Sequence, residues 1–283
     1  MKAIDDYVLL NRSLSETECV VDTSSERYLT PQQTKVAGDL STPMPGWAFS
    51  IDEFLKKDTS NSRVGLKSGQ RSGLDYILIS DDNDLPAEIA LRTISNLPSQ
   101  YLKVLRKAGA KLMIVPDASY LPDRLKERHD ATLRSYGVKC FCGIQIQIEE
   151  YLPEEKVNYA IAFLNCNGSD FVLMHELGHI IDRFMGDACL PKGLAGGAAR
   201  KLSEFSTWTE IYCDYIFVAG KGEGCGDKEP NGIMKSTEGF ANAFSEYYTS
   251  KDSNEKMKRE NPKYYNYFAD LEESAYQCLV ERN

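Results

Sequence analysis

Apolar and polar residues follow two different periods along this chain. From residue 75 to residue 164, short apolar runs alternate with segments in which apolar residues recur every three or four positions. The runs predict strands, and the longer period predicts helices. Strands are expected at 75–80, 111–116, 138–142, 143–150 and 157–164. Helices are expected near 86–95, 98–108, 120–135, 169–185, 195–218, 235–250 and 262–281. Strands early and helices late indicate an α+β fold with a small mixed sheet.

Residues 1–70 show neither period. They are rich in Ser, Thr, Asp, Gln and Lys, contain three prolines, and run into the polar stretch SNSRVGLKSGQRSG at 60–73. This composition predicts an N-terminal extension or small accessory unit with little regular structure, ahead of a domain at 71–283. Later in the chain, the Gly-rich segment 220–232 is expected to form a loop between two helices.

Composition narrows the classes of partner. The chain has 283 residues, 42% of them hydrophobic, and a formal net charge of -9. An acidic chain gains little from phosphate groups, so nucleic acid is not expected as a partner. No apolar run approaches the roughly 18 residues of a membrane span. The start of the sequence also lacks the apolar core of a secretory signal. We therefore expect a protein that is cytoplasmic in its producer or exported by a signal-independent route.

The eight cysteines are scattered through the chain. A chain of this length does not need a disulfide framework, and the expected state of these thiols is reduced. Only Cys140 and Cys142 are close together, and a CxC pair alone is a weak metal signal.

The strongest chemical signal is the sequence His175-Glu176-Leu177-Gly178-His179. Histidines four apart lie one turn apart on one face of a helix, where both ring nitrogens can bind one metal ion. Glu176 can reach a water molecule at that ion and act as general base in peptide hydrolysis. Apolar residues flank the motif, so its buried polar groups need a partner, which one Zn2+ per chain supplies. Two core histidines without a metal are the structural alternative.

A third ligand has to come from outside this motif. His129 is the only other histidine and precedes the motif in a charged segment, so a carboxylate is favoured. Glu238 lies in STEGFANAFSEYY, a predicted helix whose small residues permit close packing against the motif helix. Asp182, three residues after His179, is the rival, but an Asp there more often orients a ligand than binds the metal. Asn242 shares a helix face with Glu238.

The segments HELGHIID at 175–182 and EGFANAF at 238–244 together resemble the metallopeptidase domain of anthrax lethal factor and its relatives, including the Pro-Pro endopeptidases. ENPKYYNYF at 260–268 and LRKAGAKLMIVP at 105–116 are similar to further parts of that domain, so the resemblance spans about 74–283.

This resemblance implies a zincin-like fold with the HExxH motif on the active-site helix. It also implies that His175, His179 and Glu238 bind one Zn2+ and that the chain is a zinc metalloendopeptidase acting on a protein or peptide. The family further suggests a secreted bacterial toxin or effector that acts on a host protein, or alternatively a protease of surface proteins, and the first is favoured.

Two positions depart from the family pattern. Asn231 stands seven residues before Glu238, where the family has a tyrosine that stabilises the oxyanion. Either Asn231 serves there, or Tyr212, Tyr215 or Tyr247 approaches the zinc instead. The position of the family's second acid on this helix is occupied by an asparagine, which alters its role next to the ligands. These departures motivate an alternative function, a catalytically impaired zinc-containing binding module of the same fold.

Overall fold

The computed structural model describes residues 65–80, 85–137, 139–149, 156–165, 169–189, 201–218 and 235–280. Within these ranges the strands are β1 (Gly65–Arg71), β2 (Leu74–Ser80), β3 (Ala110–Val115), β4 (Gly143–Glu149) and β5 (Lys156–Phe163). The α-helices are α1 (Leu85–Thr93), α2 (Ser99–Lys107), α3 (Asp123–Tyr136), α4 (Ser169–Cys189), α5 (Ser206–Val218), α6 (Lys235–Tyr248), α7 (Lys251–Glu260) and α8 (Pro262–Val280). Short 3-10 turns lie at Ile94–Asn96, Ala118–Tyr120 and Leu202–Glu204. The strands come early and most helices late, so the predicted α+β order is confirmed.

The strands form one mixed sheet in the order β1-β2-β3-β5-β4. Strand β3 runs parallel to β2 and β5, whereas β1 is antiparallel to β2 and β4 is antiparallel to β5. The β1–β2 hairpin turns at Ser72 and Gly73, which both have positive φ, as a type I′ hairpin turn requires. Among the described strands β4 pairs only with β5, so its outer side is an edge of the sheet.

Alternating residues of the central strands divide the core into two layers. In β3, Leu112 and Ile114 belong to the larger cluster beneath the helices α1, α2, α4, α6 and α8. The intervening Met113 and Val115 belong to a smaller cluster on the opposite face, which Leu125 of α3 covers. The period of two along a strand thus produces a helical layer on each face of the sheet.

Helix α4 lies inside the larger layer. Most of its apolar side chains, from Val172 to Met185, are at most 3% exposed, whereas Phe171 and Phe184 are partly buried. This burial is typical of a helix largely surrounded by protein. The small residues Ala160 and Ala162 of β5 belong to the same cluster, so α4 can lie close to the sheet. The HExxH motif is on this helix, and its polar side chains are therefore held within an apolar setting.

An aromatic cluster fixes helix α6 beside α5 and α8. The indole of Trp208 on α5 lies 5.2 Å from the rings of both Phe240 on α6 and Tyr264 on α8, measured between centroids. Phe268 of α8 lies 5.4 Å from Phe240. Such buried aromatic pairs add stability beyond the burial of their area, so α6 has a defined position in the helical layer.

Two predictions for the sheet were wrong. Residues 65–70 were expected to lack regular structure, but they form most of β1. Its sequence, GLKSGQR, carries little apolar signal because the strand lies at an edge, and pairing with the buried β2 determines its conformation. The expected strand at 138–142 was also wrong, since 139–142 are irregular and β4 begins at Gly143. Residues 1–64 lie outside the described residues, and the division at residue 70 stays a prediction.

Two predictions for the helices were also wrong. The expected helix at 195–218 begins only at Ser206, after an extended Lys201 and a 3-10 turn. Its residues 195–200, like the loop at 220–232, lie outside the described residues. Helix α7, with the charged sequence KDSNEKMKRE, was missed because only Met257 is buried and no apolar period marks it. Among the described helices, none is both long and apolar enough to cross a membrane.

Candidate active site

Helices α4 and α6 cross at a contact between small residues. A Cβ on Gly178 would lie 3.2 Å from the Cα of Ala241 and 3.2 Å from Cδ1 of Phe244. The prediction that small residues on α6 permit close packing against the motif helix is confirmed at Ala241. Gly239 has a different role, because a Cβ at that position would collide with the ring of Tyr212. The crossing places the first turn of α6 directly opposite the motif.

Three side chains converge at this crossing. Nε2 of His175 lies 3.0 Å from Nε2 of His179. Glu238, in the first turn of α6, places Oε2 3.3 Å from Nε2 of His175 and Oε1 3.5 Å from Nε2 of His179. The side chains of His175 and His179 are 9% and 15% exposed, but that of Glu238 is 43% exposed. The cluster is therefore buried on the α4 side and open to solvent beside Glu238.

This arrangement fits a zinc ion. With zinc–ligand bonds of 2.0–2.2 Å, two tetrahedral ligand atoms are roughly 3.3–3.5 Å apart, close to the separations in this cluster. A carboxylate oxygen of Glu176 also lies within 4.8 Å of a ring nitrogen of each of His175 and His179. Two imidazoles and one carboxylate, with a position left for water, are a donor set of catalytic zinc sites.

The charges in the cluster are strongly coupled. Desolvation alone would raise the pKa of Glu238, but the charge of His179 and a hydrogen bond with His175 lower it to about 2. Burial lowers the pKa of His179 to about 4. Burial also opposes the charged form of His175, yet its hydrogen bond with Glu238 and the nearby Glu176 raise its pKa. An ionised carboxylate between two imidazoles provides the negative charge that a metal cation needs.

The carboxylate of Glu176 lies beside the edge strand β4. Burial raises the pKa of the Glu176 carboxyl to about 8, although a backbone hydrogen bond from Gln145 partly offsets this effect. A Cβ on Gly143 would lie 3.1 Å from Oε1 of Glu176. The beginning of β4 therefore passes directly beside this carboxylate, and its backbone holds the side chain in place.

Residues 82–271 match the family described as anthrax toxin lethal factor, N- and C-terminal domain, a match over more than half of the chain. The chain belongs to the anthrax lethal factor family. Among solved structures, the Pro-Pro endopeptidase PPEP-2 from Paenibacillus alvei is similar, with 19% identity and a TM-score of 0.46, covering 69% of this chain and 96% of that one. No curated protein matches.

Membership of the lethal factor family confirms the resemblance inferred from the sequence, together with the fold class it implied. The family points to a metallopeptidase.

Asp182 does not join the cluster of His175, His179 and Glu238. Its carboxylate is fully buried and accepts hydrogen bonds from the backbone N–H and the hydroxyl of Ser203, both at 2.7 Å. Burial raises its pKa to about 6, although these two bonds act in the opposite direction. The rival prediction of Asp182 as a ligand gains no support from this placement, because both of its oxygens bind Ser203.

Asn242, which replaces the second acid of the lethal factor family, lies one turn after Glu238 and within interaction range of His175. Its Oδ1 and the Nδ1 of His175 are each buried without a hydrogen-bond partner among the described residues. A zinc-bound histidine ordinarily donates its other ring N–H to an acceptor. If Asn242 moved slightly toward His175, a hydrogen bond from Nδ1 to Oδ1 would give both buried atoms a partner.

Other candidates from the sequence lie elsewhere. His129 is buried against Phe141 and Phe163 on the opposite face of the sheet, and its Nδ1 lies 2.9 Å from Oδ1 of Asp130. Tyr247 packs against Tyr248 and Tyr265 near the start of α7. Tyr212 stacks on Trp208, and Asn231 and the side chain of Tyr215 lie outside the described residues.

Sequence reasoning missed three residues around the site. Gly143 follows CFC and precedes IQIQI, and an isolated glycine at a strand start can signal close backbone approach. Ser203 had no signal, because a lone serine between two predicted elements resembles any other. The third residue is Lys201, two positions before Ser203. Its positive charge contributes to lowering the pKa of both His179 and Glu238.

Proposed function

We propose that this chain is a zinc-dependent endopeptidase in which His175, His179 and Glu238 hold the metal and Glu176 is the general base. The main support for this proposal is the convergence of two Nε2 atoms and one carboxylate at 3.0–3.5 Å from one another. When bound, the zinc ion supplies a Lewis acid that polarises a carbonyl group and makes water more acidic.

Glu176 is suited to moving a proton in this reaction. Its burial raises its proton affinity, which allows the carboxylate to accept the proton of the attacking water. The same carboxyl then donates that proton to the nitrogen of the leaving amine, so the group returns to its ionised form. Contacts with β4 hold the carboxylate in one orientation, so the reaction does not have to include the entropy cost of ordering this side chain.

The edge strand β4 provides a binding site for an extended peptide. Its outer side is unpaired among the described strands, and peptides commonly add to such an edge through main-chain hydrogen bonds. Because Gly143 at the start of β4 lies beside Glu176, a peptide added along this edge passes next to the general base. The substrate is therefore a segment of extended polypeptide, and the enzyme is an endopeptidase.

Asn242 has a supporting role in this proposal. Its Oδ1 and the Nδ1 of His175 are both buried without a partner among the described residues, and a hydrogen bond from Nδ1 to Oδ1 would leave Nε2 of that ring free to bind the metal. A neutral amide provides this hydrogen bond without the negative charge of the family's acid.

The proposal is tested by zinc content and by cleavage of a diverse peptide library. Wild-type protein is expected to contain about one zinc per chain and to lose cleavage on treatment with a chelator. A Glu238→Gln variant is expected to lose zinc, whereas the exposed Glu210→Gln on α5 is a matched control that keeps both properties. Cleavage that persists without zinc would contradict the proposal.

One observation favours a second candidate function. The family's oxyanion tyrosine is replaced by Asn231, and losing such a donor typically raises the barrier by about 2.7–4 kcal/mol. A catalytically impaired zinc-containing binding module of the same fold is the alternative, and one zinc per chain without cleavage of the library would support it. The extension of the first proposal to an exported toxin or effector stays a prediction from the family resemblance.

A further inference from the structure

Ser203 forms a buried hydrogen-bond centre behind the candidate metal site. It lies in the 3-10 turn Leu202–Glu204 and is 0% exposed. On one side its backbone N–H and hydroxyl donate to Oδ1 and Oδ2 of Asp182, which is three residues after His179 on α4. Its carbonyl oxygen accepts a hydrogen bond of 2.6 Å from the hydroxyl of Ser236 on α6.

The hydroxyl of Ser203 also contacts the hydroxyl of Thr237, and the donor in this hydrogen bond can be assigned. Its Oγ lies 3.4 Å from Oγ1 of Thr237. A serine hydroxyl has one hydrogen, and Ser203 uses it in the bond of 2.7 Å to Asp182, so the Thr237 hydroxyl must be the donor. Ser236 and Thr237 thus both donate to Ser203, which donates twice to Asp182.

These bonds join the two helices that carry the candidate ligands. Ser236 and Thr237 directly precede Glu238 in the first turn of α6. The first turn of a helix lacks intrahelical partners for its N–H groups and opens more readily than the interior. The carbonyl of Ser236 also accepts a bond of 3.2 Å from Nε1 of Trp208, which anchors the same turn to α5.

We infer that Ser203 is a positioning residue, which fixes the first turn of α6 on α4 and thereby holds Glu238 at the distance from His175 and His179 that metal binding requires. The consequence for zinc rests on the function proposed above, but the ordering of the turn does not. Metal ligands bind tightly when their geometry is set in advance by neighbouring groups, so zinc affinity is expected to depend on a residue that does not touch the metal.

Two variants test this role against a matched control. Ser203→Ala removes the hydroxyl but keeps both backbone bonds, and Thr237→Val removes only the hydroxyl that donates to Ser203. Ser245→Ala is the control, because Ser245 is also 0% exposed but its hydroxyl bonds within α6, to the carbonyl of Asn242 at 2.9 Å. Ser203→Thr, which keeps the hydroxyl, tests rescue.

Zinc affinity, measured by competition with a chelator, is the first readout. Ser203→Ala is expected to weaken it about tenfold or more, Thr237→Val in the same direction, and Ser203→Thr to restore most of the loss. The absorption spectrum of the cobalt-substituted protein should change in Ser203→Ala and not in Ser245→Ala. Equal affinities and equal spectra in Ser203→Ala and Ser245→Ala would overturn the role at the metal.

Hydrogen exchange of the metal-free protein is the second readout and does not depend on zinc. Amides in the first turn of α6 are expected to exchange faster in Ser203→Ala than in wild type or Ser245→Ala. Unchanged exchange would overturn the positioning role even if zinc binds. If the amides exchange faster in Ser203→Ala but the wild-type protein binds no zinc, the positioning role would be supported and the proposed function refuted.

Discussion

Replacing Gly143 by alanine tests how β4 holds the general base. The added Cβ would lie 2.6 Å from the carbonyl oxygen of Ile161, would overlap Val172, and would lie 3.1 Å from Oε1 of Glu176. The Ile161 carbonyl belongs to the paired strand β5 and cannot move alone, so β4 and the Glu176 side chain have to shift.

The magnitudes follow from these contacts. Overpacking of this kind costs about 1–3 kcal/mol of unfolding free energy. In a domain of this size each kcal/mol lowers Tm by about 2–4 °C, so thermal unfolding should show a decrease of about 2–12 °C. A shift of about 1 Å in a catalytic group can cost roughly a hundredfold in rate. We expect kcat for a cleaved peptide to fall by that order, while zinc content stays near one per chain.

Gly137→Ala is the matched control for this substitution. Gly137 ends α3 with φ of 68°, and a Cβ there would meet nothing within 4 Å. Backbone strain should cost about 1–2 kcal/mol without changing kcat. If Gly143→Ala lost only stability, as Gly137→Ala is expected to, the contact between β4 and Glu176 would have no part in catalysis.

Three further predictions concern the metal site. Gly178→Ala should separate α4 from α6, because its Cβ would lie 3.2 Å from the Cα of Ala241, and should weaken zinc affinity on the order of tenfold. Burial opposes protonation of His175, but its hydrogen bond with Glu238 raises its pKa above the ordinary 6.5, so zinc must displace a proton and its dissociation constant should rise as pH falls through that raised pKa. Burial raises the pKa of Asp182 from 3.8 to about 6, so the metal-free wild type should lose stability relative to Asp182→Asn as pH rises through that window.

Each of these has a contrary result. Unchanged zinc affinity in Gly178→Ala would show that the helix crossing does not set the ligand distance. A zinc dissociation constant independent of pH between 5 and about 8 would show that no ligand histidine is protonated there. A stability difference between wild type and Asp182→Asn that is flat or opposite in sign, measured by urea unfolding, would contradict the buried state of that carboxyl.

Local sequence patterns predicted much of the candidate site. The spacing of His175 and His179 fixes their common helix face wherever the helix packs. Glu238 was found because the small residues of its helix, and the family resemblance, both point to the same crossing. The histidine spacing and the small residues of the Glu238 helix could be identified from the sequence because they depend on helical periodicity.

The residues that the sequence did not reveal act through tertiary contacts. The polar strand β1 exists because β2 offers it a partner, and the charged helix α7 carries no apolar period to mark it. Ser203 acquires its position only when α4 and α6 are brought together around it. Asp182 was expected to orient a ligand or to cap a contact beside the ligands, and its hydrogen-bond partner is Ser203, a residue that no local pattern could indicate.

The rate of peptide cleavage by zinc-loaded Glu176→Gln tests the central claim most directly. Glutamine keeps the size of the side chain and a contact with β4, so zinc content should remain near one per chain. Because the amide cannot accept the proton of water, kcat should fall by about 10²–10⁴ relative to wild type. Cleavage at the wild-type rate by the fully loaded variant would contradict the assignment of Glu176 as general base.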